Sequence, residues 1–137
     1  MTQTIQTPQQ AFLAVKEHLS YPEQEELWLL SLNNGNKLLS VRFIGLGTDC
    51  EVLISTKIIA KNAVIDMAAG VILVHTHPSG NPKPSAADIK ATQRVSDALK
   101  IFDVVLLDHI IVSKDSFFSF AEDSVFTTDT LCRSHST

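Results

Sequence analysis

Val71-Ile72-Leu73-Val74-His75-Thr76-His77-Pro78-Ser79-Gly80-Asn81-Pro82-Lys83-Pro84-Ser85-Ala86-Ala87-Asp88 is the stretch on which the reading of this chain turns. Val71 to Val74 form a short apolar run rich in β-branched residues, the pattern of a buried strand rather than a helix. Side chains two apart on a strand share a face, so His75 and His77 aim together from the strand's C-terminal end. Pro78, Pro82 and Pro84 then forbid regular structure, and Gly80-Asn81 supplies a turn. From Ser85 the pattern turns helical, which puts Asp88 in the first turn of the next helix. Two imidazoles and a carboxylate with a position left for water is a catalytic zinc arrangement, whereas structural zinc sites are closed by four protein ligands. The expected metal ligands are His75, His77 and Asp88, the expected ion is zinc, one per chain, and Ser85 stands beside it.

The same residues have a plainer reading. Ser85-x-x-Asp88 ahead of a helix is a variant of the capping box. Asp88 would then serve the positive end of the helix dipole. Histidines at a strand end can also be satisfied by backbone hydrogen bonds. The two readings make different demands on Asp88, and the sequence leaves both open.

His75-x-His77, seven residues, then Ser85-x-x-Asp88 resembles the JAMM motif of the MPN/JAB metalloprotease superfamily. Within it the chain is similar to bacterial RadC-like proteins, which carry His-Asn-His-Pro-Ser-Gly followed by Pro-x-Pro-Ser-x-x-Asp. Thr76 stands where Asn is usual. A second block, Leu106-Leu107-Asp108-His109-Ile110-Ile111-Val112 and then Phe118-Ser119-Phe120-Ala121-Glu122, also resembles that family. The likeness runs from about Tyr21 to Glu122. It implies an α/β (α+β) domain of MPN/JAB, cytidine-deaminase-like architecture, and a catalytic glutamate on an early strand. In RadC-like proteins that glutamate lies eight residues before the Asn or Asp of the next turn. Counting back from Asn33 reaches Glu25. Glu25, Leu27 and Leu29 would share one strand face and Glu26 the other with Trp28, so Glu25 is the expected base and Glu26 the alternate. An acidic run before a strand is otherwise a solvated loop.

Composition sets further bounds. At 137 residues the chain is one domain, large enough to bury a core without disulfides. No apolar run approaches the ~20 residues that span a membrane. Met1-Thr2-Gln3-Thr4-Ile5-Gln6-Thr7 lacks the pattern of a signal peptide. Cys50 and Cys132 are far apart and read as free thiols in a reducing cytoplasm. With 11 Lys+Arg against 15 Asp+Glu, the net charge is −4. A nucleic-acid binder usually presents a basic face, so DNA contact is possible by family association but not supported by charge. The residues before Tyr21 are too few for the helix-hairpin-helix segment of longer RadC-like proteins.

The expected organisation is a helical lead-in over residues 1–20, a JAB/MPN domain over 21–123 and a polar tail over 124–137. Its elements are a helix from Pro8 to Leu19, a strand from Leu27 to Leu32, a turn at Asn33-Asn34-Gly35-Asn36, and a partner strand from Lys37 to Leu46 bent near Gly45 and Gly47. A helix capped by Thr56 runs to Ala69 with Gly70 as its stop. After the metal loop come a helix from Ser85 to Lys100, a strand from Val104 to Val112, a turn at Lys114-Asp115 and a strand from Phe117 to Phe120. Asp108 and His109 interrupt an apolar strand, which costs free energy unless their polar atoms are paired. They are expected to form a hydrogen-bonded pair fixing the sheet, with support of the metal ligands as the other reading. The function expected is zinc-dependent peptide or isopeptide hydrolysis in the cytoplasm, with a peptide or protein substrate. The alternatives are a DNA-repair accessory and a non-catalytic MPN interaction domain. A strand such as Lys37 to Leu46 is positioned to pair across a dimer.

Overall fold

Two apolar faces, one on each side of a single sheet, organise the computed structural model, which describes residues 3–20, 23–47, 54–78, 80–114 and 116–123. The elements are α1 (Pro8–Lys16), β1 (Glu26–Leu32), β2 (Leu38–Leu46), α2 (Thr56–Ile65), β3 (Gly70–Thr76), α3 (Ala86–Ile101), β4 (Val105–Val112) and β5 (Phe117–Ser119). The order αββαβαββ is the one expected. The expected tail over 124–137, both cysteines and Asp115 lie outside the described residues.

The sheet runs β2-β1-β3-β4-β5. β1 pairs antiparallel with β2 and β3, β3 parallel with β4, and β4 antiparallel with β5. A parallel pair needs a long crossover, and α3 supplies it. β1 lies between two partners and is buried along its whole length. Leu27, Leu29, Val71, Leu73, Leu106 and Ile111 meet Ile59 and Ala63 of α2 and Val95 and Leu99 of α3. Trp28, Leu30, Leu32, Ile72, Val74 and Ile110 meet Ala11 and Val15 of α1 on the other face. Strand alternation thus sends Glu25 and Glu26 to opposite faces, as the leucines beside them divide.

Two helices end earlier than the spacing predicts. α1 stops at Lys16, where His18 and Leu19 donate to carbonyls three residues back and tighten the last turn. α2 is capped by Ser55 rather than Thr56, and its C-cap is Asp66. Asp66 is drawn onto the sheet, accepting from Ser31 Oγ at 2.7 Å, Ser40 Oγ at 2.6 Å and Arg42 Nε at 2.8 Å. Met67 then leaves the helix at φ 51. Gly70 is not a helix stop but the first residue of β3, opposite Leu32 of β1 and Val105 of β4. The bend expected near Gly45 is an irregularity of register between Leu27 and Trp28, where Gly45 and Phe43 are the facing residues.

A second irregularity matters more. β3 and β4 slip between Val71 and Ile72, so Val71 faces Leu106 and Ile72 faces Asp108. The extra residue, Leu107, is a bulge, which re-aims the side chains that follow it. Leu106, His109 and Ile111 consequently all face α3, although a regular strand would divide them.

Candidate metal centre

His75 and His77 stand where β3 ends. His75 is fully buried, in register with Leu27 of β1 and Ile111 of β4. His77 lies just past the strand, its backbone N–H held by Val112 O at 2.7 Å. Glu25 immediately precedes β1. Its Oε1 lies 2.6 Å from His75 Nε2 and 3.9 Å from His77 Nε2. One ligand-type atom from each of Glu25, His75 and His77 falls within 4.8 Å of the other two, so this group could hold a metal ion. Asp88 Oδ2 approaches from the first turn of α3, 3.7 Å from His77 Nε2.

The loop between His77 and α3 fixes the imidazole. His77 Nδ1 lies 3.1 Å from Asn81 O. A carbonyl only accepts, so Nδ1 carries a proton and Nε2 is the nitrogen that faces the carboxylates. This is the outer hydrogen bond that metal-ligating histidines make. The residue types fit a divalent ion: imidazole nitrogens of His75 and His77 and a carboxylate oxygen of Glu25 lie close together, with Asp88 beside His77.

Asp88 meets both sequence readings. Its Oδ2 accepts from Ser85 N at 3.0 Å and Ser85 Oγ accepts from Asp88 N at 3.0 Å, a complete capping box. Yet Asp88 is only 3% exposed. A carboxylate that merely caps a helix stays in water, because burial without a counter-charge is costly. Ser85 is exposed at the N-cap. Its hydroxyl accepts one bond and keeps its proton for another acceptor. Glu26 turns to the other face, where Oε1 accepts from Trp28 Nε1 at 2.9 Å and Oε2 from Ser20 N at 3.2 Å.

Thr76 contributes what the sequence did not disclose. Its Oγ1 accepts from Glu26 N at 2.8 Å and lies 3.5 Å from Gln24 O. Gly47 N donates to Glu25 O at 2.8 Å. The backbone on both sides of Glu25 is thus tied to β3 at the residue between the two histidines. A cavity of about 590 Å³ lies beside His77 and is lined also by Glu23, Gln24, Glu26, Thr76 and Pro78, whereas Glu25, His75 and Asp88 do not line it.

Asp108 and His109 part company. Asp108 Oδ1 accepts from His109 N at 2.8 Å and Ala121 N at 3.0 Å, and Oδ2 from Ser119 Oγ at 2.7 Å. It ties β4 to the segment after β5, as expected of a sheet-fixing residue. Burial pushes its carboxyl up to about 6 against those bonds. His109 instead reaches α3: its Nδ1 lies 2.8 Å from Thr92 Oγ1, which donates to Asp88 O at 2.6 Å. Burial, and then His75 and His77 nearby, hold its imidazole well below the usual histidine range, hence neutral. Thr92 had one legible signal, being a hydroxyl one turn beyond Asp88 on the buried stripe of α3.

Residues 5–125 match the RadC-like JAB domain family. A UPF0758 protein of Desulforudis audaxviator is 39% identical over 123 residues, 90% of this chain and 54% of that protein. UPF0758 proteins of Haemophilus ducreyi and Flavobacterium johnsoniae are 37% and 33% identical, over 90% and 89% of this chain and 55% and 53% of their own lengths. The chain spans about half the length of the curated relatives it matches.

Proposed function

Because this chain belongs to the family of RadC-like JAB domains, we propose that it is a zinc-dependent amide hydrolase of JAMM type, cleaving a peptide or isopeptide bond. The observation that carries the reading is the convergence of Glu25, His75 and His77 within 4.8 Å, with buried Asp88 beside His77. Two distances support an assignment of the two carboxylates. Zinc bonds of ~2.0–2.2 Å set tetrahedral ligands roughly 3.3–3.5 Å apart. Asp88 Oδ2 and His77 Nε2, at 3.7 Å, suit that spacing. Glu25 and His75, at 2.6 Å, are instead in direct hydrogen-bond contact. We assign His75, His77 and Asp88 as the ligands and Glu25 as the base, a reading these two contacts support.

A zinc ion there would lower the pKa of a bound water from ~15.7 toward ~7 and polarise the scissile carbonyl. Glu25 Oε1 takes the proton of the attacking water and passes it to the leaving nitrogen. The Thr76 hydroxyl keeps the Glu25 backbone in place for both transfers. Ser85 Oγ–H donates to the oxygen that gains charge. The substrate is a peptide or protein. A net charge of −4 lends no support to a nucleic-acid partner.

The test is a peptide library incubated with zinc-loaded protein and read by mass spectrometry for new termini. The expected result is cleavage that chelator stops, zinc restores and Glu25→Gln reduces by ~10²–10⁴-fold while zinc stays bound. Cleavage that survives chelation, or that Glu25→Gln leaves intact, would overturn the assignment.

A further inference from the structure

Glu25 and Glu26 are consecutive and face opposite ways. Glu25 turns to His75 and His77. Glu26, only 2% exposed, instead lines the cavity of about 590 Å³ beside His77. Its carboxylate is fixed there: Oε1 accepts from Trp28 Nε1 at 2.9 Å and Oε2 from Ser20 N at 3.2 Å. Glu26 N donates to Thr76 Oγ1 at 2.8 Å, and Thr76 lines the same cavity. One short piece of backbone, held to β3, therefore sets both carboxylates.

The rest of the lining divides by chemistry. Leu19, Pro78 and Val112 supply apolar surface. Glu26 adds a buried carboxylate, Glu23 an exposed one and Lys114 an exposed ammonium. Solvent and salt screen exposed charges far more than buried ones, so Glu26 outweighs Lys114 in setting the sign of the cavity. Binding cavities take their specificity from a few fixed polar groups set in apolar walls. An apolar passage with a carboxylate in its wall suits a long basic side chain, which lays its methylene stem along apolar surface and carries its cation at the tip.

We propose that this cavity is a subsite for a lysine or arginine side chain of the substrate, within two residues of the scissile bond, with Glu26 as its specificity-determining residue. The subsite rests on the reading of the metal centre as an amide hydrolase. His77 connects the two, since it belongs to the metal centre and to the lining of the cavity. An extended chain advances about 3.4 Å per residue, so a substrate crossing His77 passes from the metal centre to the cavity in one or two residues.

The test begins with binding, without metal. Trp28 is the chain's only tryptophan and its indole N–H donates to Glu26, so its ¹H–¹⁵N resonance reports on that carboxylate. Acetyl-lysine amide is expected to shift this resonance saturably, and acetyl-norleucine amide, which has the same stem without the ammonium, is not. Glu26→Gln keeps an acceptor for the indole but loses the charge, and should weaken the lysine response ~10–100-fold. Peptide cleavage by zinc-loaded protein is then expected to favour lysine over norleucine at one fixed position by a similar factor, a preference that Glu26→Gln erases. No shift with lysine, or an equal shift with norleucine, overturns the subsite. Cleavage with no basic preference overturns it too and leaves the hydrolase standing. A lysine-dependent shift in a protein that cuts no peptide overturns the hydrolase reading and leaves the cavity's preference for a basic side chain. Should Glu26→Gln fail to fold, the ratio of lysine to norleucine on the wild-type protein decides.

Discussion

Two of the carboxylate groups in this fold, one at the end of α2 and one at the end of β3, are finished to different degrees. Asp66, at the end of α2, accepts from Ser31, Ser40 and Arg42. Burial pushes its pKa up, but those bonds outweigh burial and hold it below the ordinary carboxylate range. The guanidinium supplies the positive charge and every neighbour has its partner. At the end of β3, Glu25 and Asp88 face two histidines, His75 Nδ1 and His109 Nε2 are unpartnered, and no lysine or arginine is paired into the cluster among the described residues. A carboxylate network with its cation built in locks a fold. One built from carboxylates and imidazoles without a lysine or arginine could hold a cation from outside. The same chemistry thus separates structure from function by what is left over.

The comparison breaks most easily at one residue from each group. Asp88→Asn is expected to weaken zinc binding more than about 100-fold, beyond what a supporting residue causes. It should cost stability only on the scale of a cap, ~0.5–2 kcal/mol. Asp66→Ala should do the opposite, leaving zinc affinity unchanged and costing about 2–3 kcal/mol as its hydrogen-bond partners are orphaned. Zinc titration and denaturant unfolding on the same two variants read both quantities. If Asp88→Asn binds zinc normally and only melts lower, Asp88 is a cap and the contrast collapses.

Asp108 sharpens it with pH. Its carboxyl is raised from 3.8 to about 6 by burial. The folded state therefore holds a proton there that the unfolded chain has released, and stability falls as pH rises from about 4 to about 6. The stabilisation is present in full below about 4 and lost above about 6, and amounts to roughly 2–3 kcal/mol at most. Asp66 runs the other way, its contribution being lost as pH falls through its lowered pKa. Asp108→Asn keeps Oδ1 as acceptor for His109 and Ala121, and its amide can donate to Ser119. It should flatten the profile between pH 4 and 6. A profile unchanged by the substitution would assign that slope to other groups.

What could be read in advance was local. The parity of His75 and His77 on a strand, the division of Glu25 from Glu26, and the Ser85 cap all depend on residues within a few positions. The structure shows the geometry those patterns implied, down to Glu26 turning to Trp28. What escaped was set by distant partners. α2 ends at Asp66 because its acceptors' donors lie 24 to 35 residues earlier on β1 and β2. Gly70 was read as a stop because a glycine after a helical pattern usually is one. It proved to be strand because that end of the sheet needs it opposite Leu32. Asp108 and His109 were taken as one pair, since nothing local announces the bulge at Leu107. Thr76 looked like a departure from a motif, and its hold on the Glu25 backbone, across 50 residues, needs the folded sheet to be seen.

The account stands on one quantity: the zinc content of the protein. Chelator-free protein re-equilibrated with zinc and measured by elemental mass spectrometry is expected to hold about one ion per chain, with tetrahedral coordination in X-ray absorption. The double variant His75→Ala, His77→Ala should hold none while retaining the wild-type fold by circular dichroism. Folded wild-type protein without stoichiometric metal after re-equilibration, or the same metal content in the double variant, would contradict it.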